Sequence, residues 1–147
     1  MMYKREIDLI VVHCTGASQN QTVDSIRAFW KDVLGWKNPG YHRIIDTKGN
    51  VTELASPDKV VNGVAGKNAK SYHICWIGGK DGADNRTVEQ KCVLREEIKK
   101  AKEMFPKAQV VGHRDLSPDL NNDGIISPNE WTKLCPSFDA VSEYKDL

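Results

Sequence analysis

No stretch of this 147-residue chain stays apolar for the roughly 18 residues that a membrane-crossing helix needs. Its first residues, MMYKREIDLIVVHC, hold only a short apolar run before a histidine. They lack the apolar segment of roughly 7 to 15 residues, and the small-residue cleavage site, of a secretory signal. A surplus of one charge is missing too. The 21 Lys and Arg face 20 Asp and Glu, with no long run of either sign, which argues against a nucleic-acid or membrane-surface binder and favours a small, neutral-looking substrate. Cysteines are few and scattered. Cys14, Cys75, Cys92 and Cys135 are even in number, but three lie in apolar strand-like or helical segments rather than in a dense loop framework, so they are expected as reduced thiols in a chain made in the cytoplasm. Repeats and low-complexity linkers are also absent. A chain of this length makes one core, burying roughly 68–70% of the surface it exposes when unfolded.

The apolar pattern that is present predicts a mixed α/β domain. IDLIVV at 7–12 is a β-branched run ending at His13 and suits a strand buried on both faces. From Thr22, an N-cap, the residues Val23, Ile26, Phe29, Trp30, Val33 and Leu34 recur at helical spacing up to Gly35, predicting an amphipathic helix of about three turns. GYHRIIDTKGNVTEL reads as two short strands around an Asp-Thr-Lys-Gly turn. A glycine-rich loop over 60–70 leads to a strand at 72–79, and Thr87 with Gln90 forms a capping box opening a helix that runs to about Phe105. AQVVG is a last strand, and a short helix should follow Pro136 and Ser137. The expected fold is a single α/β domain spanning 1–147, a central mixed β-sheet flanked by helices.

Two of the predicted strands end in histidine. If the sheet sets those strands side by side, His13 and His113 come to one edge, and Cys135 arrives from the loop beyond. Two histidines and a cysteine are a sufficient ligand set for a catalytic zinc, which takes three protein ligands and keeps a fourth position open. Cys14 is the weaker candidate, because neighbouring strand residues point to opposite faces. Widely spaced histidines and cysteines are more often core residues than ligands. The motifs around them shift that balance.

VVHCTGAS at 11–18, GYHRIID at 40–46, the Gly-Lys-Asn loop leading into HICWIGG, GHRD at 112–115 and KLCPSFD at 133–139 resemble the successive blocks of phage-lysozyme-type N-acetylmuramoyl-L-alanine amidases. These are the zinc amidase branch of the peptidoglycan recognition protein fold. The blocks occur in the family's order and cover nearly the whole chain. The resemblance implies zinc ligands at His13, His113 and Cys135, and catalytic assistance from Tyr41 and Lys133. A thiolate ligand leaves the metal less positive than three imidazoles would, so a developing oxyanion needs further charge. Lys133, two residues before Cys135 in an extended segment, can project to the same side and supply it. Tyr41 either orients the water or donates a hydrogen bond to the oxyanion. His42 is expected to be structural. His73 stands where the family often has a small residue and is assigned to packing. Relatives often carry a further histidine in the loop before the fourth strand, where this chain offers Asn62 or Val64.

Inside the His113–Cys135 interval lies a second metal signature. Asp119, Asn121, Asp123, Gly124 and Glu130 fill every fixed position of D-x-[DN]-x-[DN]-G-x5-E. Calcium would take side-chain oxygens of Asp119, Asn121 and Asp123, the carbonyl of Ile125 and both oxygens of Glu130, with Ser127 in direct or water-mediated contact. With no paired loop and with Pro128 inside it, this insertion at 119–130 reads as a single structural site rather than a sensor. Its ordering is expected to help position Lys133 and Cys135. HRDLSPDLN also resembles a kinase catalytic loop, but the Asn falls one residue late and no Gly-rich phosphate loop or Asp-Phe-Gly accompanies it.

The leading expectation is a monomeric Zn2+ hydrolase, with Ca2+ as a structural ion, that cuts the N-acetylmuramic acid to L-alanine amide of peptidoglycan. It binds neither nucleic acid nor membrane. Such a chain is cytoplasmic as synthesised and reaches the cell wall after release or export, as a phage or prophage endolysin does. The competing readings are a non-catalytic peptidoglycan-binding module and a calcium-dependent interaction protein.

Overall fold

The computed structural model describes residues 4–147. Five strands form one sheet: β1 (Leu9–Cys14), β2 (Arg43–Ile45), β3 (Val51–Glu53), β4 (Ser71–Trp76) and β5 (Gln109–Gly112), in the order β3-β2-β4-β1-β5. Only β2 and β3 run antiparallel; β4 flanks β1 on one side and β5 on the other, both parallel to it. The sheet is mixed, with the apolar strands central, as their β-branched composition predicts.

Side-chain alternation sorts the central strands into two faces. Ile10, Val12 and Cys14 of β1 and Tyr72, Ile74 and Trp76 of β4 face α2 (Val88–Met104), meeting Leu94, Ile98, Ala101 and Phe105. The short α3 (Ala140–Glu143) closes the end of this layer through Ala140 and Tyr144. Leu94 and Ile98 are fully buried, and each burial of that kind stabilises by roughly 1.5–3 kcal/mol. Thr87 caps α2 in the expected box: its side chain accepts from Gln90 N–H while Gln90 returns a bond to Thr87 N–H.

The opposite face carries Val11 and His13 of β1 and His73 and Cys75 of β4. Here a smaller cluster of Ile26, Trp30, Ile44, Cys75 and Ile77 supports α1 (Val23–Ala28). The expected three-turn helix divides. After Ala28 the chain widens into a π-helical turn over Phe29–Val33, with Leu34 N–H donating to Phe29 O at 3.1 Å. Three-residue apolar spacing does not distinguish the two helix types. A second difference concerns β1, which runs through Cys14, so His13 lies one residue inside the strand rather than at its end. No helix among the described residues is long and apolar enough to cross a membrane.

Candidate active site

The topology brings three distant residues together. Because β5 is paired with β1, the turn that begins at His113 opens beside His13, and their rings lie 4.9 Å apart. Cys135 comes from the far end of the long excursion, and its carbonyl accepts from Arg114 N–H at 2.8 Å. Its approach depends on Gly112: a Cβ there would fall 2.6 Å from Pro136 Cδ. One potential ligand atom from each of His13, His113 and Cys135 lies within 4.8 Å of the others.

Cys14 alternates away, as expected from a strand. Its thiol sits by the Ser137 hydroxyl at 3.4 Å, while its backbone N–H donates to Cys135 Sγ at 3.1 Å and so holds that sulfur in place. Among the described residues all four cysteines are free thiols.

The trio opens on a groove of about 740 Å³. Trp30, Trp36 and Tyr41 form one wall, and Asp81 and Gly82 with Lys133 and Leu134 form another. Tyr41 is half-buried with its ring 4.9 Å from that of His13 and edge-on to Trp30. Burial, reinforced by the neighbouring Cys75 and Cys135 thiols, pushes its hydroxyl well above the usual tyrosine value, so it keeps its proton. Lys133 is exposed at the groove rim. Its positive charge adds to burial in lowering His113 to about 4. Burial first, then the surrounding histidines, lowers His13 well below its usual value. Burial likewise pushes the Cys135 thiol up. Neutral imidazoles have lone pairs to give, and a thiol kept protonated by burial ionises when a cation supplies the missing charge. This donor set fits zinc.

His73, assigned to packing from sequence, is fully buried and lies against His13: its Nδ1 is 2.8 Å from His13 Nε2. His42 is fully buried one strand further, its Nδ1 accepting from His73 N–H at 3.0 Å. Asn62 lines the groove. The contact of His73 could be found only once the register of β1 on β4 set Val11 beside His73 and His13 beside Cys75.

The calcium-motif residues gather away from the trio. Carboxylate oxygens of Asp119, Asp123 and Glu130 lie within 4.8 Å of one another. Asp119 Oδ2 accepts from Gly124 N–H at 2.8 Å, while its Oδ1 is buried without a partner. Glu130 is only 5% exposed and accepts from Leu120 and Ser127 N–H.

Compared with known proteins, residues 3–136 match the N-acetylmuramoyl-L-alanine amidase family. The chain belongs to it. The amidase is 31% identical over 142 residues to the endolysin of Enterobacteria phage K11, covering 92% of this chain and 84% of the phage protein. It is 43% identical over 83 residues to an uncharacterised Haemophilus influenzae protein, covering 54% of this chain and 72% of the relative. In fold it is similar to the Ph2119 endolysin from a Thermus scotoductus bacteriophage. There the TM-score is 0.74 at 20% identity, over 99% of this chain and 87% of the other.

Proposed function

We propose that this amidase hydrolyses the amide between N-acetylmuramic acid and L-alanine of peptidoglycan at a zinc ion held by His13, His113 and Cys135. The observation that supports zinc is the convergence of those three donors, one each from β1, the turn after β5 and the end of the excursion, at the floor of the groove. Zinc bound there would polarise the amide carbonyl and make a water molecule acidic enough to supply the nucleophile near neutral pH. The chain's own residues do the rest. Lys133, at the rim, places positive charge where the carbonyl oxygen becomes anionic. Tyr41 retains its proton and donates a hydrogen bond to the same oxygen, the second of the two roles open to it. Trp30 and Trp36 offer apolar area to the glycopeptide, and they partly exclude water.

Metal-stripped protein should release no stem peptide from muropeptides, and added zinc should restore release. Cys135→Ser should not recover at the same zinc concentration. Activity that survives stripping, or a Cys135→Ser variant with wild-type turnover, would remove zinc from the mechanism. A non-catalytic wall-binding module would bind muropeptide but release nothing in any of these arms. As a monomer that meets the wall after release or export, the enzyme would act as the phage endolysins' name describes.

A second reading is carried by the partnerless, buried Oδ1 of Asp119 beside Asp123 and Glu130. We infer a structural calcium ion in the 119–130 insertion, taking oxygens from Asp119, Asn121, Asp123, Glu130 and the Ile125 carbonyl. With zinc held constant, calcium should raise the melting temperature, and Glu130→Ala should abolish the rise. No response from the unmutated chain would leave the insertion as surface.

A further inference from the structure

A line of hydrogen bonds runs from His13 away from the groove and ends on a backbone amide whose proton is not in question. Val64 N–H donates to Asn68 Oδ1 at 2.8 Å, and the same oxygen lies 3.0 Å from His73 Nε2. The amide of Asn68 cannot be turned around, because its NH2 group would then face the Val64 N–H, donor against donor. Asn68 therefore presents an acceptor to His73, and His73 Nε2 must carry the proton. A neutral imidazole with a proton on Nε2 has a bare Nδ1. That bare nitrogen is the one 2.8 Å from His13 Nε2, so His13 must donate there. The remaining nitrogen of His13, Nδ1, is left without a proton.

The arrangement is built rather than incidental. An added Cβ at Gly63 would lie 2.3 Å from His73 Nδ1, so the loop opposite has room for the imidazole only because residue 63 lacks a side chain. Arg5 fastens the segment that carries Asn68, donating to the carbonyls of Asn68 and Ser71 at 2.8 and 2.9 Å. The backbone N–H of His73 is held by His42 Nδ1.

We propose that His73, set by Asn68, is a positioning residue that fixes the tautomer and ring orientation of His13, so that His13 offers Nδ1 to the metal. The inference rests on the zinc reading above. Histidine ligands ordinarily donate their second N–H to a carboxylate, a backbone carbonyl or water, and losing such a partner costs about 10- to 100-fold in metal affinity. Here a second imidazole takes that place.

The test uses the full chain and zinc alone. Side-chain 15N NMR of the metal-free protein at pH 8 should show His13 and His73 each with the proton on Nε2. Competition with a chromogenic chelator should show His73→Leu weakening zinc by about 10- to 100-fold, with His73→Gln, which keeps a side-chain acceptor, recovering most of the loss. Asn68→Ala, at a half-buried residue that opens a 3-10 turn, should weaken zinc in the same direction and keeps the test alive if His73→Leu fails to fold. At saturating zinc the muropeptide KM of these variants should stay near wild type. A proton on His13 Nδ1, or zinc affinity within twofold of wild type in both His73→Leu and Asn68→Ala, would overturn the relay. His13→Ala separates the two readings: if it too leaves zinc affinity unchanged, the metal site itself is wrong, whereas a large loss there with none at His73 sinks the relay alone.

Discussion

Lys133 and Tyr41, proposed to act on the same developing charge, sit in different settings, and their replacement should read differently. Lys133 is exposed and packs no core. Lys133→Ala should therefore leave melting temperature and KM near wild type while lowering kcat by about 10²- to 10³-fold, the usual cost of losing one oxyanion donor. Tyr41 also packs against His13 and Trp30, so Tyr41→Phe, which removes only the hydroxyl, is the informative change. It should keep the fold and lose about 10²-fold in kcat. Steady-state muropeptide kinetics would check both, and a rise in KM at constant kcat would make either residue a binding group instead. At this scale sequence and structure divide by reach. The motifs around His13, His113 and Cys135 already marked them as candidate zinc ligands, whereas His73 looked like packing because its partner lies 60 residues away on another strand.

The excursion between His113 and Cys135 carries the calcium motif at its tip and Cys135 at its base. Calcium was expected to help position Lys133 and Cys135, and protein contacts also staple the base of the excursion. Arg114 N–H donates to the Cys135 carbonyl, the Arg114 guanidinium lies 4.0 Å over the Trp131 ring, and Thr132 N–H donates to Ser117 Oγ at 3.0 Å. Such a cation-π contact contributes on the order of 0.5–2 kcal/mol. Removing calcium should therefore speed hydrogen exchange across 119–130 and leave amides near Arg114 and Cys135 protected. Arg114→Ala should do the reverse, loosening the base and weakening zinc. Equal loss of protection at tip and base on calcium removal would restore the coupled picture. The motif was legible because it is local, five positions within twelve residues. The staples were not, since each joins residues that only the closed excursion brings together.

Across the whole molecule, buried histidines make the metal-free fold sensitive to acid. Burial lowers His73 to about 3 and His42 to about 4, from an ordinary 6.5, and both side chains are fully buried. Between about pH 6.5 and 4 the unfolded chain takes up protons that the native one refuses, so the stability these neutral groups carry is complete above about 6.5 and drains as pH falls. Each accounts for at most about 1.4 kcal/mol per pH unit. Urea midpoints of metal-free protein should fall from pH 7 to pH 5. Below that, Asp84 and Glu143, held under their usual range by the buried Arg86, add a further loss as they protonate. Midpoints unchanged from pH 7 to 5 would mean that these imidazoles take up protons in the native state as readily as in the unfolded chain.

Composition and periodicity were enough for a single α/β domain and for most of its helices and strands, because apolar alternation and capping residues are local signals, while the candidate ligands came from short motifs and the family they resemble. They also sufficed for the calcium motif. What they could not contain is the pairing of β1 with β4 on one side and β5 on the other, nor the register that lays His73 against His13. Strand order and register depend on which distant faces bury each other, a property of the closed core rather than of any window along the chain. The same holds for the groove, whose walls come from Trp30, Tyr41 and Lys133, three segments that meet only after the sheet has formed.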